Sequence, residues 1–152
     1  MVMSLQQKIE DDFKAAMKAS NRLKVSVLRM VKAAIKNKQI EKRAELSEDD
    51  ILSVLSSLSK QRMESIEQFS KGGREDLAEK ERQELAILQS YLPKQLTPEE
   101  LDTIIIEAIQ ESSAQGIIKD MGKVMRLVMP RVRGAADGKI VNQRVRELLE
   151  RV

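Results

Sequence analysis

The apolar positions of this chain recur at spacings of three and four almost from end to end, and no stretch alternates with period two long enough to make a strand. Leu5, Ile9, Phe13, Ala16 and Met17 share one face behind Ser4 and Gln7, which have capping-box spacing, and predict a first helix. Asn21 caps a second, with Leu23, Val27, Met30, Val31 and Ala34 inward and Arg22, Arg29, Lys32 and Lys36 outward. Ser47 with Asp50 opens a third, carrying Ile51, Leu55, Leu58, Ile66 and Phe69 until Gly72-Gly73 stops it. A fourth runs from about Arg74 to Leu92, where Pro93 removes a donor and pushes its neighbour out of helical geometry. Thr97-Pro98-Glu99-Glu100 is a strong start signal for a fifth, with Leu101, Ile104, Ile105, Ala108 and Ile109 as its buried face. Asp120 opens a sixth through about Met129, ended by Pro130, and Asp137-Gly138 introduces a seventh bearing Ile140, Val141, Val145, Leu148 and Leu149. The expected fold is all-α and multihelical. Residues 1–92 make an N-terminal helical subdomain with a helical hairpin, and residues 93–152 a small three-helix subdomain.

The third and fourth helices also place charge on their core faces. Arg62 projects from the arc of Leu55, Leu58 and Ile66, while Glu81 and Glu84 project from that of Leu77, Leu88 and Tyr91. If the two helices fold back about Gly72-Gly73, Arg62 comes level with both glutamates, and its guanidinium fork suits a carboxylate. A structural ion pair of Arg62 with Glu81 and Glu84 is expected.

Composition narrows the chemistry. The 152 residues contain no cysteine and no histidine, so disulfides, thiolate zinc ligation and the commonest general base are unavailable, and no metal site is expected. No apolar run approaches the roughly 18 residues that span a bilayer, and the N-terminus lacks the build of a signal peptide, so a soluble cytoplasmic protein without membrane contact is expected. Nothing resembles a P-loop, a dinucleotide-binding loop or the serine–lysine nucleophile of an amidase, so neither cofactor nor catalytic residues are assigned. Ser56-Ser57, Ser112-Ser113 and the acidic clusters Glu48-Asp49-Asp50 and Glu99-Glu100 are accounted for by helix interiors and helix starts.

Charge, by contrast, is segregated. Net charge is only +3, yet residues 14–43 hold ten Lys/Arg against Glu41 alone, and residues 119–146 hold eight against Asp120 and Asp137. Arg22, Arg29, Lys32 and Lys36 occupy an arc of roughly 80° at 3.6 residues per turn. Lys119, Lys123 and Arg126 share a face of the sixth helix; Arg131 and Arg133 follow, and Lys139, Arg144 and Arg146 belong to the seventh. Such stripes suit phosphate contacts, which give salt-dependent affinity without reading sequence. They are equally what a solvated helix face looks like. Phe13, Phe69 and Tyr91 are the only aromatics, too few for a base-stacking platform. Nucleic-acid contacts are therefore expected at Lys119, Lys123, Arg126, Arg131, Arg133, Lys139 and Arg146, and at Arg22, Arg29, Lys32 and Lys36.

Two stretches carry a resemblance. QSYLPKQLTPEELDTI at 89–104 and KDMGKVMRLVMPRVRGAADGKIVNQRV at 119–145 resemble the GatB/YqeY family, and residues 22–31, 61–69 and 73–81 look like the N-terminal part of its stand-alone members. The family-like positions are Tyr91, Leu92, Pro93 and Leu96, then Met121 to Met125, then Met129, Pro130, Gly134, Asp137 and Gly138. Most read as structural, with Gly122 permitting a close helix approach or a strained turn. The resemblance implies kinship with the tail domain of the B subunit of tRNA-dependent amidotransferases, which engages tRNA but lacks the chemical centre. It suggests a non-catalytic tRNA-binding accessory protein, with an aminoacyl-tRNA synthetase or amidotransferase as partner. A helical protein–protein adaptor without RNA binding is one alternative. A component of a carbon–nitrogen ligase using glutamine as amide donor is another.

Overall fold

A computed structural model describes residues 3–116 and 120–152, with seven helices and no strand among them. They are α1 (Leu5–Lys18), α2 (Arg22–Lys42), α3 (Glu48–Lys71), α4 (Glu75–Gln89), α5 (Pro98–Ala114), α6 (Met121–Val132) and α7 (Gly138–Glu150). They fall into two compact units, Met1–Pro93 and Lys94–Val152. No helix among the described residues is long and apolar enough to cross a membrane.

In the N-terminal unit, helix ends are fixed by side chains from neighbouring helices as well as by local caps. Ser4 Oγ accepts from the Gln7 amide at 3.1 Å, but the reciprocal half of the expected capping box is not made. Gln7 turns to Asp11 instead, at 2.8 Å, and the free Leu5 amide donates to both carboxylate oxygens of Glu48 at 3.2 and 3.1 Å. An acid in the first turn of α3 thus caps α1. Ser47 and Asp50 do form a full capping box, and Lys42 also reaches Asp50. That ammonium, with the Ser47 amide, holds the Asp50 carboxyl down at about 2.

Ile9, Val27, Leu28, Val31, Ile35, Ile51, Leu55, Leu58, Leu88 and Tyr91 form the core of this unit. The α3–α4 turn needs a left-handed residue, supplied by Gly73 at φ 74°. α4 stops at Gln89, three residues short of the expected Leu92. There the Ser90 hydroxyl donates to the Ile87 carbonyl at 2.6 Å, and the Tyr91 and Leu92 amides tighten into three-residue turns. Tyr91 is 7% exposed, and its hydroxyl donates to Asp12 Oδ2 at 2.6 Å. Burial, then the Asp12 carboxylate, push the phenol well above its ordinary range.

Across the hairpin the Arg62 Nε lies 3.3 Å from Glu81 and 3.0 Å from Glu84, and another guanidinium nitrogen reaches the Met30 sulfur on α2. All three charged side chains are at least four-fifths buried, so one cation joins α2, α3 and α4. One turn earlier, Ser59 is 2% exposed and its hydroxyl has no hydrogen-bond partner among the described residues.

The C-terminal unit packs Leu101, Ile105, Ala108 and Ile109 of α5 against Val124, Val128 and Val132 of α6 and Val141, Val145, Leu148 and Leu149 of α7. Thr97 and Glu100 form the expected capping box behind Pro98. The strand-like lead-in is tied down by Leu96 N–H to Ala135 O at 2.9 Å and Gln95 Nε2 to Gly134 O at 2.8 Å. Pro130 does not end α6 as expected. It sits in the last turn, and the helix continues to Val132, closed by Arg133 N–H to Met129 O at 3.0 Å. A proline so near the C-terminus sacrifices a single ladder bond, which burial of Val128 and Val132 offsets. Gly122 makes neither a close helix approach nor a strained turn: it is exposed in the first turn of α6, and a Cβ there would meet only the Asp120 cap, at 3.3 Å.

Two outcomes are expected on urea unfolding. Arg62→Ala strands two buried carboxylates and destabilises the protein by about 3 kcal/mol. Ser59→Ala removes an unpartnered hydroxyl and favours helix, and stabilises it by about 1 kcal/mol.

Candidate nucleic-acid interface

The cations predicted to meet nucleic acid divide sharply once their surroundings are known. Lys119 lies outside the described residues. On α6, Lys123 is half-buried and Arg126 exposed, and neither side chain makes an ion pair among the described residues. The Asp120 side chain accepts from the Lys123 amide at 3.1 Å, and Val124 and Val128 are buried on the opposite side. Arg131, in contrast, is bound to Glu107 on α5 at 2.8 Å. Arg133 is the half-buried C-cap of α6.

On α7, burial of Val141, Val145, Leu148 and Leu149 fixes which way the helix rolls. Arg144, part of the expected basic cluster, turns inward and grips Asp102 of α5 with both arms of its fork, at 2.6 and 2.7 Å, while a third nitrogen holds Glu147 at 2.8 Å. The hydrogen-bonded Arg144 guanidinium draws the Asp102 carboxyl below its ordinary range, and the two acids raise the arginine in turn. Arg144 is therefore a staple between α5 and α7 rather than a surface cation. Lys139 and Arg146 point outward on the far side, lining with Gly138, Asn142 and Gln143 an open groove of about 540 Å³. Lys139 makes no ion pair among the described residues, and Arg146 makes only a long contact, 3.5 Å, to Asn142 Oδ1. Asn142 and Gln143 did not stand out by charge; their spacing of three and four from Lys139 and Arg146 was the available signal.

In the N-terminal unit the α2 stripe is partly used up. Lys32 pairs with Glu10 at 3.0 Å and lies 4.2 Å above the Phe13 ring, whose centre is also 5.9 Å from Arg29. Phe13 is thus half-buried between cations, and Lys32 is a helix–helix contact. Arg22, Arg29 and Lys36 remain exposed. Among the described residues no three acidic side chains come together where a metal ion could sit.

The described residues are helical and fall into two compact units, with exposed cations on the last two helices. The chain belongs to a defined family: the pattern described as Yqey-like protein matches residues 6–149, and the chain is a member of that family. It is 40% identical to the altered inheritance of mitochondria protein 41 of Vanderwaltozyma polyspora over 98 residues, 62% of this chain and 53% of that one. With the protein of that name from Kluyveromyces lactis it shares 37% over 107 residues, covering 68% and 57% of the two chains. For that from Pyrenophora tritici-repentis the figures are 28% over 146 residues, 93% and 79%. The chain spans about half the length of the first two. All three relatives are named as mitochondrial proteins, which overturns the expectation of a cytoplasmic one. The physical reason is that helix periodicity and capping do not tell one compartment from another.

The Asp102–Arg144 staple has a pH signature. Because the Asp102 carboxyl is held below its ordinary value of 3.8, the stability it contributes is full above that pH and is lost as pH falls through the lower folded value. Asp102→Asn should cost about 1 kcal/mol at pH 7, and the gap from wild type should narrow as pH falls below 3.8. Glu147 is also drawn below its ordinary range, by its hydrogen bonds from Arg144 and Gln143. Thermal unfolding at pH 7, 5 and 3 tests this.

Proposed function

We propose that this chain is a non-catalytic tRNA-binding accessory protein that presents or retains tRNA near an aminoacylation or transamidation enzyme. The observation that carries it is the contrast among the C-terminal cations: Arg131 and Arg144 are tied to acids, while half-buried Lys123 and exposed Arg126, Lys139 and Arg146 have no acid bound to them among the described residues. Unpaired cations on two consecutive helices are available to neutralise phosphates and release counterions. The same unit contains no aromatic residue, so base stacking plays no part there and recognition is of the backbone and shape of folded RNA. In the N-terminal unit, Arg22, Arg29 and Lys36 form a second, sparser cationic line. The partner enzyme is an aminoacyl-tRNA synthetase or an amidotransferase, to which this chain brings RNA affinity and no chemistry of its own.

Fluorescence anisotropy with unfractionated tRNA across a salt series is the test. Wild-type protein should bind with an affinity that falls steeply with salt. Lys123→Glu/Arg126→Glu should weaken binding on the order of tenfold or more and flatten the salt slope, whereas Arg131→Glu should do much less. Folded wild-type protein that binds no tRNA even at low salt would overturn the reading and favour a protein–protein adaptor.

A further inference from the structure

The α7 groove holds more than charge. Lys139 and Arg146 stand at its two ends, seven residues and roughly 10 Å apart along the helix, with the carboxamides of Asn142 and Gln143 between them. Resting on the RNA-binding reading above, we propose that this groove grips the ribose–phosphate backbone, with Lys139 and Arg146 on phosphates and Asn142 and Gln143 on the intervening 2′-hydroxyls, and so distinguishes RNA from DNA.

The spacing exceeds the separation of neighbouring phosphates along a strand, so two phosphates held at the ends leave at least one sugar opposite the carboxamides. A 2′-hydroxyl both donates and accepts, and a carboxamide offers two N–H donors and a carbonyl in return. Both carboxamides keep free capacity. Gln143 spends one N–H on Glu147, at 3.1 Å, and retains its second N–H and its oxygen. Asn142 accepts only the long contact from Arg146 and retains its amide hydrogens. Glu147, next to Arg146, is held by Arg144 at 2.8 Å, an arginine it shares with Asp102. The N-terminus of α7 is not what draws the anion, because the Asp137 side chain already accepts from the Lys139 amide at 3.0 Å. A deoxyribose would set C–H against the carboxamides and leave their polar groups unpaired, which is where the discrimination arises. All four side chains are exposed, so their replacement leaves the core intact.

The full-length chain is titrated with one hairpin sequence made as RNA and as DNA, at several salt concentrations. Wild type should prefer the RNA by about fivefold or more, the ratio that one ordinary hydrogen bond gives. Asn142→Ala/Gln143→Ala should erase that preference without changing the salt slope. Lys139→Gln/Arg146→Gln should weaken binding to both hairpins and flatten the slope. Equal wild-type affinity for the two, a preference that survives loss of both carboxamides, or charge variants that bind like wild type would each overturn the ribose assignment while leaving RNA binding intact. Absence of wild-type binding to either hairpin would instead remove the RNA reading on which it rests.

Discussion

The N-terminal unit depends on a single guanidinium. α3 and α4 could not pack with Arg62, Glu81 and Glu84 on their inner faces unless the charges met, because an unpaired ion at that depth loses far more hydration than apolar packing returns. Arg62 Nε lies within ion-pair distance of two carboxylates, without a hydrogen bond to either, and a further nitrogen reaches Met30, so one side chain links the hairpin to α2. A hydrophobic residue there would let the two helices slide by a turn with little penalty; the ion cluster does not. The smaller C-terminal unit uses the same device at its edge, where the Asp102–Arg144 fork fixes the roll of α7 against α5. Its valine-rich seam supplies burial but little directional preference.

Roll is what turns packing into a candidate function. With Arg144 held inward and the valines buried, α7 presents Lys139, Asn142, Gln143 and Arg146 to solvent, together with Ile140, which is 58% exposed. On α6 the Asp120 cap starts the helix such that Val124 and Val128 go in and Arg126 goes out. The outward cations therefore follow from core placement, and the core was the part most legible in the sequence.

Legibility ended where two elements meet. Periodicity and caps located the helices because both are local: Ser47 with Asp50 and Thr97 with Glu100 close their boxes within one turn. Ser4 with Gln7 has the same spacing, but Gln7 turns to Asp11 and leaves its half of the box unmade, while Glu48, distant in sequence, takes the Leu5 amide. Likewise nothing local marks Lys32 as a contact to Glu10 and Phe13, or Arg144 as a staple, since each is defined by a partner on another helix. Pro130 misled for a different reason: its ring forbids a particular bond, not a further turn whose apolar residues are wanted in the core. Compartment was not legible at all, for amphipathic helices pack alike on either side of an organelle's boundary.

The uneven distribution of aromatic rings also has an optical consequence. The chain has one tyrosine and no tryptophan, and that tyrosine is bonded to Asp12 within the N-terminal unit. Intrinsic fluorescence therefore reports on one unit alone, while the C-terminal unit melts or binds unseen by it. A transition in helical circular dichroism without a matching change in tyrosine emission belongs to the half that carries the groove.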